Sequence, residues 1–119
     1  MAVNIAEYQK AVKSLEKALN EPKNDITRDA SIQRFEFCVE LAWKTARKIT
    51  GTATTAPKQV IREMAQSGLI DDASLWLEAI DQRNLSSHTY NEELAEKVYA
   101  FIKTFFPYAQ KLSEKFSTP

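Results

Sequence analysis

The chain has one cysteine and one histidine among its 119 residues. One cysteine excludes an internal disulfide and fits a reducing compartment. One histidine excludes any zinc or catalytic cluster that takes two histidines from the same chain. Glycine (two) and proline (four) are scarce. With 44% hydrophobic residues, that excludes collagen-like, low-complexity and disordered classes. Charge of either sign is not in excess: 16 Lys and Arg face 16 Asp and Glu, which argues against a generally basic nucleic-acid-binding domain. No long apolar run is present. Met1 to Asn20 alternates apolar and charged residues, so it reads as neither a signal peptide nor a membrane span. There is no internal repeat and no linker long enough to split the chain. Residues 1–119 therefore read as a single domain, able to bury roughly two thirds of its unfolded surface without a staple. The cytoplasm is the expected location.

What is there is helical periodicity. Ile5, Tyr8, Val12, Leu15 and Leu19 recur every three or four residues, one apolar stripe on a first helix that Pro22 ends. Lys23 to Asp25 reads as a turn. A second helix is expected from about Thr27 to Thr50, closed by Gly51. Its main stripe is Ile32, Phe35, Val39, Ala42, Ala46 and Ile49. Phe37, Leu41 and Trp43 lie outside it. A helix apolar on more than one side must bury more than one side, against a second bundle neighbour or another subunit. Pro57 starts and Gly68 follows a short third helix with Val60, Ile61 and Met64 on its apolar face. Asp71 or Asp72 caps a fourth, on which Trp76, Ile80 and Arg83 share a face. Leu85 to His88 interrupts the pattern. Thr89 and Glu92 have the spacing of a capping box for a fifth helix, striped by Leu94, Val98, Ile102, Phe105, Ala109, Leu112 and Phe116. Pro107 inside that stripe predicts a kink, not an end. The fold class is all-α: an up-and-down antiparallel four-helix bundle with one additional short helix.

Chemistry concentrates in Arg83-Asn84-Leu85-Ser86-Ser87-His88-Thr89-Tyr90-Asn91-Glu92. The histidine precedes a helix N-terminus, whose free N–H groups and dipole favour an anion. Arg83 carries a fork suited to phosphate. On one straight helix Arg83 and His88 would point about 140° apart; the interruption lets both face one place. Ser86, Ser87, Thr89 and Tyr90 add hydroxyls. The same residues also suit a purely structural role, Arg83-Asn84 as a C-terminal cap and His88 beside an N-cap. Cys38 reads as a core residue. Asp71-Asp72 and Glu92-Glu93 read as first-turn acids, and no residues have metal-ligand spacing. No Gly-rich phosphate loop and no G-x-S-x-G motif are present. No metal and no cofactor is expected.

Phe35-Glu36-Phe37 with Glu40-Leu41-Ala42-Trp43-Lys44-Thr45, Pro57-Lys58 with Val60-Ile61-Arg62-Glu63, Gly68-Leu69-Ile70, Trp76-Leu77-Glu78 and the Arg83 to Glu92 segment occur in that order. Together they resemble the nucleotidyltransferase substrate-binding protein family of the HEPN superfamily, over nearly the whole chain. The resemblance implies a homodimeric helical bundle. It also implies a partner, a minimal nucleotidyltransferase, in a toxin–antitoxin pair. In active relatives R-x4-H is the motif of a metal-independent endoribonuclease. Arg83 and His88 match it, with polar Asn84 and Ser87 inside the motif as support. Tyr90 extends it to R-x4-H-x-Y, and in some relatives that tyrosine is adenylylated, which silences the toxin. The alternative role is a non-catalytic substrate-binding or regulatory subunit.

One feature of the charge pattern opposes RNA. From Asp71 to Glu96 there are seven acids and one base, Arg83, a formal charge of −6. The rest of the chain carries +6. Phosphate backbones want positive charge, so any RNA-binding surface must come from outside the motif's own segment, from the second helix or a second subunit.

Overall fold

The computed structural model describes residues 4–117. Helices form where the stripes predict them: α1 (Ala6–Leu19), α2 (Asp25–Thr50), α3 (Pro57–Gln66), α4 (Ala73–Leu85) and α5 (Glu92–Ser117), with a 3₁₀ turn at Ser86–His88. No strand occurs among the described residues.

Local chemistry sets most of the ends. The Asn24 side chain accepts from the Thr27 amide while Thr27 Oγ1 accepts from the Asn24 amide, both at 2.9 Å. This reciprocal box starts α2 at Asp25, two residues before the predicted start, and takes Asp25 out of the expected turn, with Asn24 as the cap. Gly51 closes α2 at φ +69°, a left-handed conformation that favours glycine. Pro57 opens α3 at a position where its missing N–H costs nothing. Asp72, not Asp71, caps α4 through the Leu75 amide at 3.0 Å.

Two expectations need correction. The α5 cap is Asn91, whose Oδ1 accepts from the Leu94 amide at 3.1 Å. Thr89 makes no capping box with Glu92; its hydroxyl donates to the Ser86 carbonyl at 2.9 Å. The chain must finish the 3₁₀ turn before α5 can begin, which moves the cap two residues on. Ile49, read as part of the main α2 stripe, is 40% exposed; it sits in the last turn of α2, one residue from its end. Pro107 lies inside α5, and the helix continues through it.

Contacts fix the helix directions. Arg34 of α2 donates to the Ser14 carbonyl of α1 at 2.8 Å, and Tyr8 of α1 donates to the Ala109 carbonyl near the end of α5 at 2.8 Å. Thus α1 runs against both α2 and α5. Arg28 meets Glu92 at the starts of α2 and α5, and Phe35 meets Phe105 further along both, so these two run side by side. α4 returns against them, with Trp76 on Phe105 (ring centroids 4.9 Å apart). The two 26-residue helices form the central pair, flanked by α1 and α4. Tyr8, Phe35, Trp76 and Phe105 are almost wholly buried, each side chain contributing about 2–3 kcal/mol by area. Leu41 and Trp43 pack at the edge of this core, whereas Phe37 remains 56% exposed.

Candidate functional site

The motif occupies the corner where α4 ends and α5 begins. Arg83 lies in the last turn of α4. One of its terminal nitrogens meets Glu40 of α2 at 3.0 Å, and Glu40 also pairs with Lys44 at 3.1 Å. The Arg83 Nε is buried without a hydrogen-bond partner. The guanidinium is therefore held by α2, its orientation set by a carboxylate from another helix. Glu40 is a residue that motif reasoning missed as a site component. Its acidic side chain off the α2 apolar stripe was visible in sequence, but its proximity to Arg83 was not.

His88 ends the 3₁₀ turn and is exposed. Its ring stands edge-on to Tyr90, centroids 6.1 Å apart, and Tyr90 is 85% exposed. The structure thus brings His88 and Tyr90 together. It brings Arg83 to the same corner but gives it no hydrogen bond to His88. Asn84 and Ser87 are both exposed. Three of the four hydroxyls in the segment are engaged with the backbone. Ser86 Oγ donates to the Arg83 carbonyl at 2.6 Å, Ser87 Oγ to the Asn84 carbonyl at 3.2 Å and Thr89 Oγ1 to the Ser86 carbonyl. These hydroxyls bond back to carbonyls three residues earlier, where α4 tightens into the 3₁₀ turn. Tyr90 keeps its hydroxyl exposed in this segment.

A second missed residue supports the corner from behind. Arg28 is buried and grips Glu92 with both terminal nitrogens, at 2.7 and 3.2 Å. It also reaches Asp29 and Glu96. The Glu92 carboxylate, first among several causes, raises the guanidinium pKa above its ordinary range, and Arg28 in turn holds Glu92 below the usual carboxylate range. Glu92 is two residues from Tyr90, so this fork anchors the start of α5 to α2.

The same pairings change the meaning of the local negative charge. Of the seven acids between Asp71 and Glu96, Asp71 pairs with Lys111, Asp81 with Lys58, Glu92 with Arg28, Glu93 with Lys97, and Glu96 with both Lys23 and Arg28. All of those cations lie outside the segment. The −6 read along the chain is thus largely met by cations that the fold brings in.

Residues 3–118 match the family described as Nucleotidyltransferase substrate binding protein like. The chain belongs to that family. Within 83 residues it is 40% identical to a Haemophilus influenzae protein named Probable ribonuclease HepT. The match takes in 63% of this chain and 57% of that relative, so it spans little more than half of the relative's length. Two solved structures share the fold over nearly their full lengths. One is a Thermus thermophilus protein, 32% identical, with a TM-score of 0.84 over 93% of this chain and 99% of that one. The other, from Haemophilus influenzae, is 30% identical, with a TM-score of 0.85 over 97% and 100%. It is described as revealing the fold of a substrate-binding domain of a nucleotidyltransferase. Family members of this shape fit the all-α bundle found here, and no described helix is long and apolar enough to cross a membrane.

Proposed function

We propose that this chain is a homodimeric, cytoplasmic partner of a minimal nucleotidyltransferase in a toxin–antitoxin pair. In this reading it is a metal-independent endoribonuclease that uses Arg83 and His88, and adenylylation of Tyr90 silences it. The observation that carries the reading is the corner itself: an oriented arginine, the chain's one histidine and an exposed tyrosine within eight residues.

RNA cleavage without metal needs a base to take the 2′-hydroxyl proton. The 2′-oxygen then attacks phosphorus, forming a 2′,3′-cyclic phosphate as the 5′-oxygen leaves and takes a proton from an acid. Positive charge must face the phosphorane. One chain offers one histidine, so a site across a two-fold axis would supply one His88 as base and the other as acid, with Arg83 on the phosphorane. Adenylylation would have the Tyr90 hydroxyl oxygen attack the α-phosphorus of ATP, releasing pyrophosphate and the phenolic proton. The AMP so placed would obstruct RNA by bulk and by like charge beside His88.

Purified protein in EDTA should cut single-stranded RNA and leave cyclic phosphate ends. His88→Ala should lower the rate by a factor of about 10² or more. Cleavage by His88→Ala at the wild-type rate would remove the mechanism, since the chain holds no other histidine. The Glu40 carboxylate on Arg83 favours a second reading, a non-catalytic substrate-binding subunit. That reading predicts a stable complex with the nucleotidyltransferase and no cleavage by wild-type protein.

A further inference from the structure

From Leu41 to Arg62 the sequence holds five bases, Lys44, Arg47, Lys48, Lys58 and Arg62, and no acid. The fold turns this run into two short limbs beside the motif. On α2, Lys44 and Lys48 continue the i, i+4 row that begins at Glu40, the residue that holds Arg83. On α3, Lys58 and Arg62 form a second i, i+4 row, and Lys58 bonds Asp81 at 2.7 Å, two residues before Arg83. Each limb is thus tied at its inner end to the neighbourhood of Arg83. Each ends in an exposed cation, Lys48 or Arg62, that has no carboxylate partner among the described residues. The linking loop adds only Thr52 to Ala56 and no acid, while Arg47 braces it through the Thr54 carbonyl at 2.7 Å.

The acids in contact with these groups are Glu40, Glu63 and Asp81. Glu63 binds the Thr52 hydroxyl at 3.0 Å and meets no cation there. Together with Arg83 the group numbers six bases against three acids. This positive surface adjoins a motif whose own segment is acidic. Trp43 is half-buried with the Lys44 ammonium 5.8 Å from its ring centroid, and Tyr90 stands exposed beside His88 at the motif corner. A single strand is bound by this combination, cations for the backbone and aromatic faces for bases.

We propose that the Leu41–Arg62 segment is the surface on which the phosphate backbone of a single-stranded RNA lies as it enters the Arg83–His88 corner, with Lys48 and Arg62 making backbone contacts. The proposal rests on the ribonuclease reading above and names where its substrate is held. A solvent-facing cation with no carboxylate partner is free to release counterions into solution when it meets a phosphate, which makes such contacts visible in salt dependence.

The test uses the full chain and a fluorescent single-stranded RNA methylated at its 2′-oxygens, which binds but cannot be cut. Its affinity is measured by anisotropy across salt concentrations. Lys48→Gln/Arg62→Gln should weaken binding roughly tenfold at 0.1 M salt and make the slope of log K against log salt shallower by about 1.4. Lys13→Gln/Lys17→Gln on α1 removes the same charge from exposed positions and should leave the slope unchanged. Equal losses in both variants would overturn the proposal, because only net charge would then matter. Wild-type affinity in Lys48→Gln/Arg62→Gln, or no binding by wild-type protein, would also overturn it. Cutting of unmodified RNA, scored separately, reports on the ribonuclease reading: cleavage that persists while both variants bind alike rejects this surface and leaves that reading standing.

Discussion

Tyr8 shows how a single residue can tie distant parts of the chain. It is fully buried, and its hydroxyl donates to the Ala109 carbonyl across 101 positions of sequence. Burial raises its pKa well above the usual tyrosine value, so the phenol stays protonated and remains a donor. Tyr8→Phe should cost about 1 kcal/mol in urea unfolding, with little change in the denaturant slope. No loss of stability would mean that the hydroxyl bond carries no net weight. Cys38, its neighbour, is held inert by the same burial, which pushes the thiol up to about 12. It is a core residue, as its sequence position suggested, and not a nucleophile.

At the scale of elements, the α4–α5 corner is shaped by competition between two caps. Thr89 has the right spacing to Glu92, but its hydroxyl closes the 3₁₀ turn, and Asn91 takes the helix start. Asn91→Ala should therefore destabilise by about 1 kcal/mol and fray the first turn of α5. Thr89→Ala should fray the 3₁₀ turn and leave the α5 amides protected in hydrogen exchange. A loss of protection at Leu94 in Thr89→Ala but not in Asn91→Ala would reverse the assignment. His88 and Tyr90 both sit in this short span, so either change should also shift the candidate site.

For the whole molecule, the important coupling is between the starts of α2 and α5. Arg28 and Lys23 hold Glu92 and Glu96 ionised in the fold, both below the usual carboxylate pKa. A depressed carboxylate pKa adds stability above the unfolded pKa, near 4.5 for Glu, and that stability is lost as pH falls through the folded value. Melting temperature should thus drop as pH falls below about 4.5. Arg28→Met keeps the apolar stem but removes the charge, so its melting temperature should fall less steeply over the same acid range. Near neutral pH the variant should melt roughly 5–10 °C lower than wild type. Parallel acid profiles for the two proteins would show that Arg28 does not set the acid response.

Sequence periodicity determined the helix count, the bundle class and most of the core, because a stripe at spacings of three and four must be buried and a bundle is the simplest way to bury several. It also marked Arg83, His88 and Tyr90 through residue type and motif resemblance. It put Ile49 on the buried stripe, where the fold leaves it 40% exposed, and it took Thr89 for the α5 cap that Asn91 makes. Only the tertiary structure decided what Arg83 touches. Glu40 lies 43 positions away in the chain, and no local pattern carries that contact. The same is true of charge. Along the chain the motif segment reads −6. In the folded protein Arg28, Lys23, Lys58 and Lys111 reach it from other parts of the chain, because electrostatic energy depends on distance in space and not on separation in sequence.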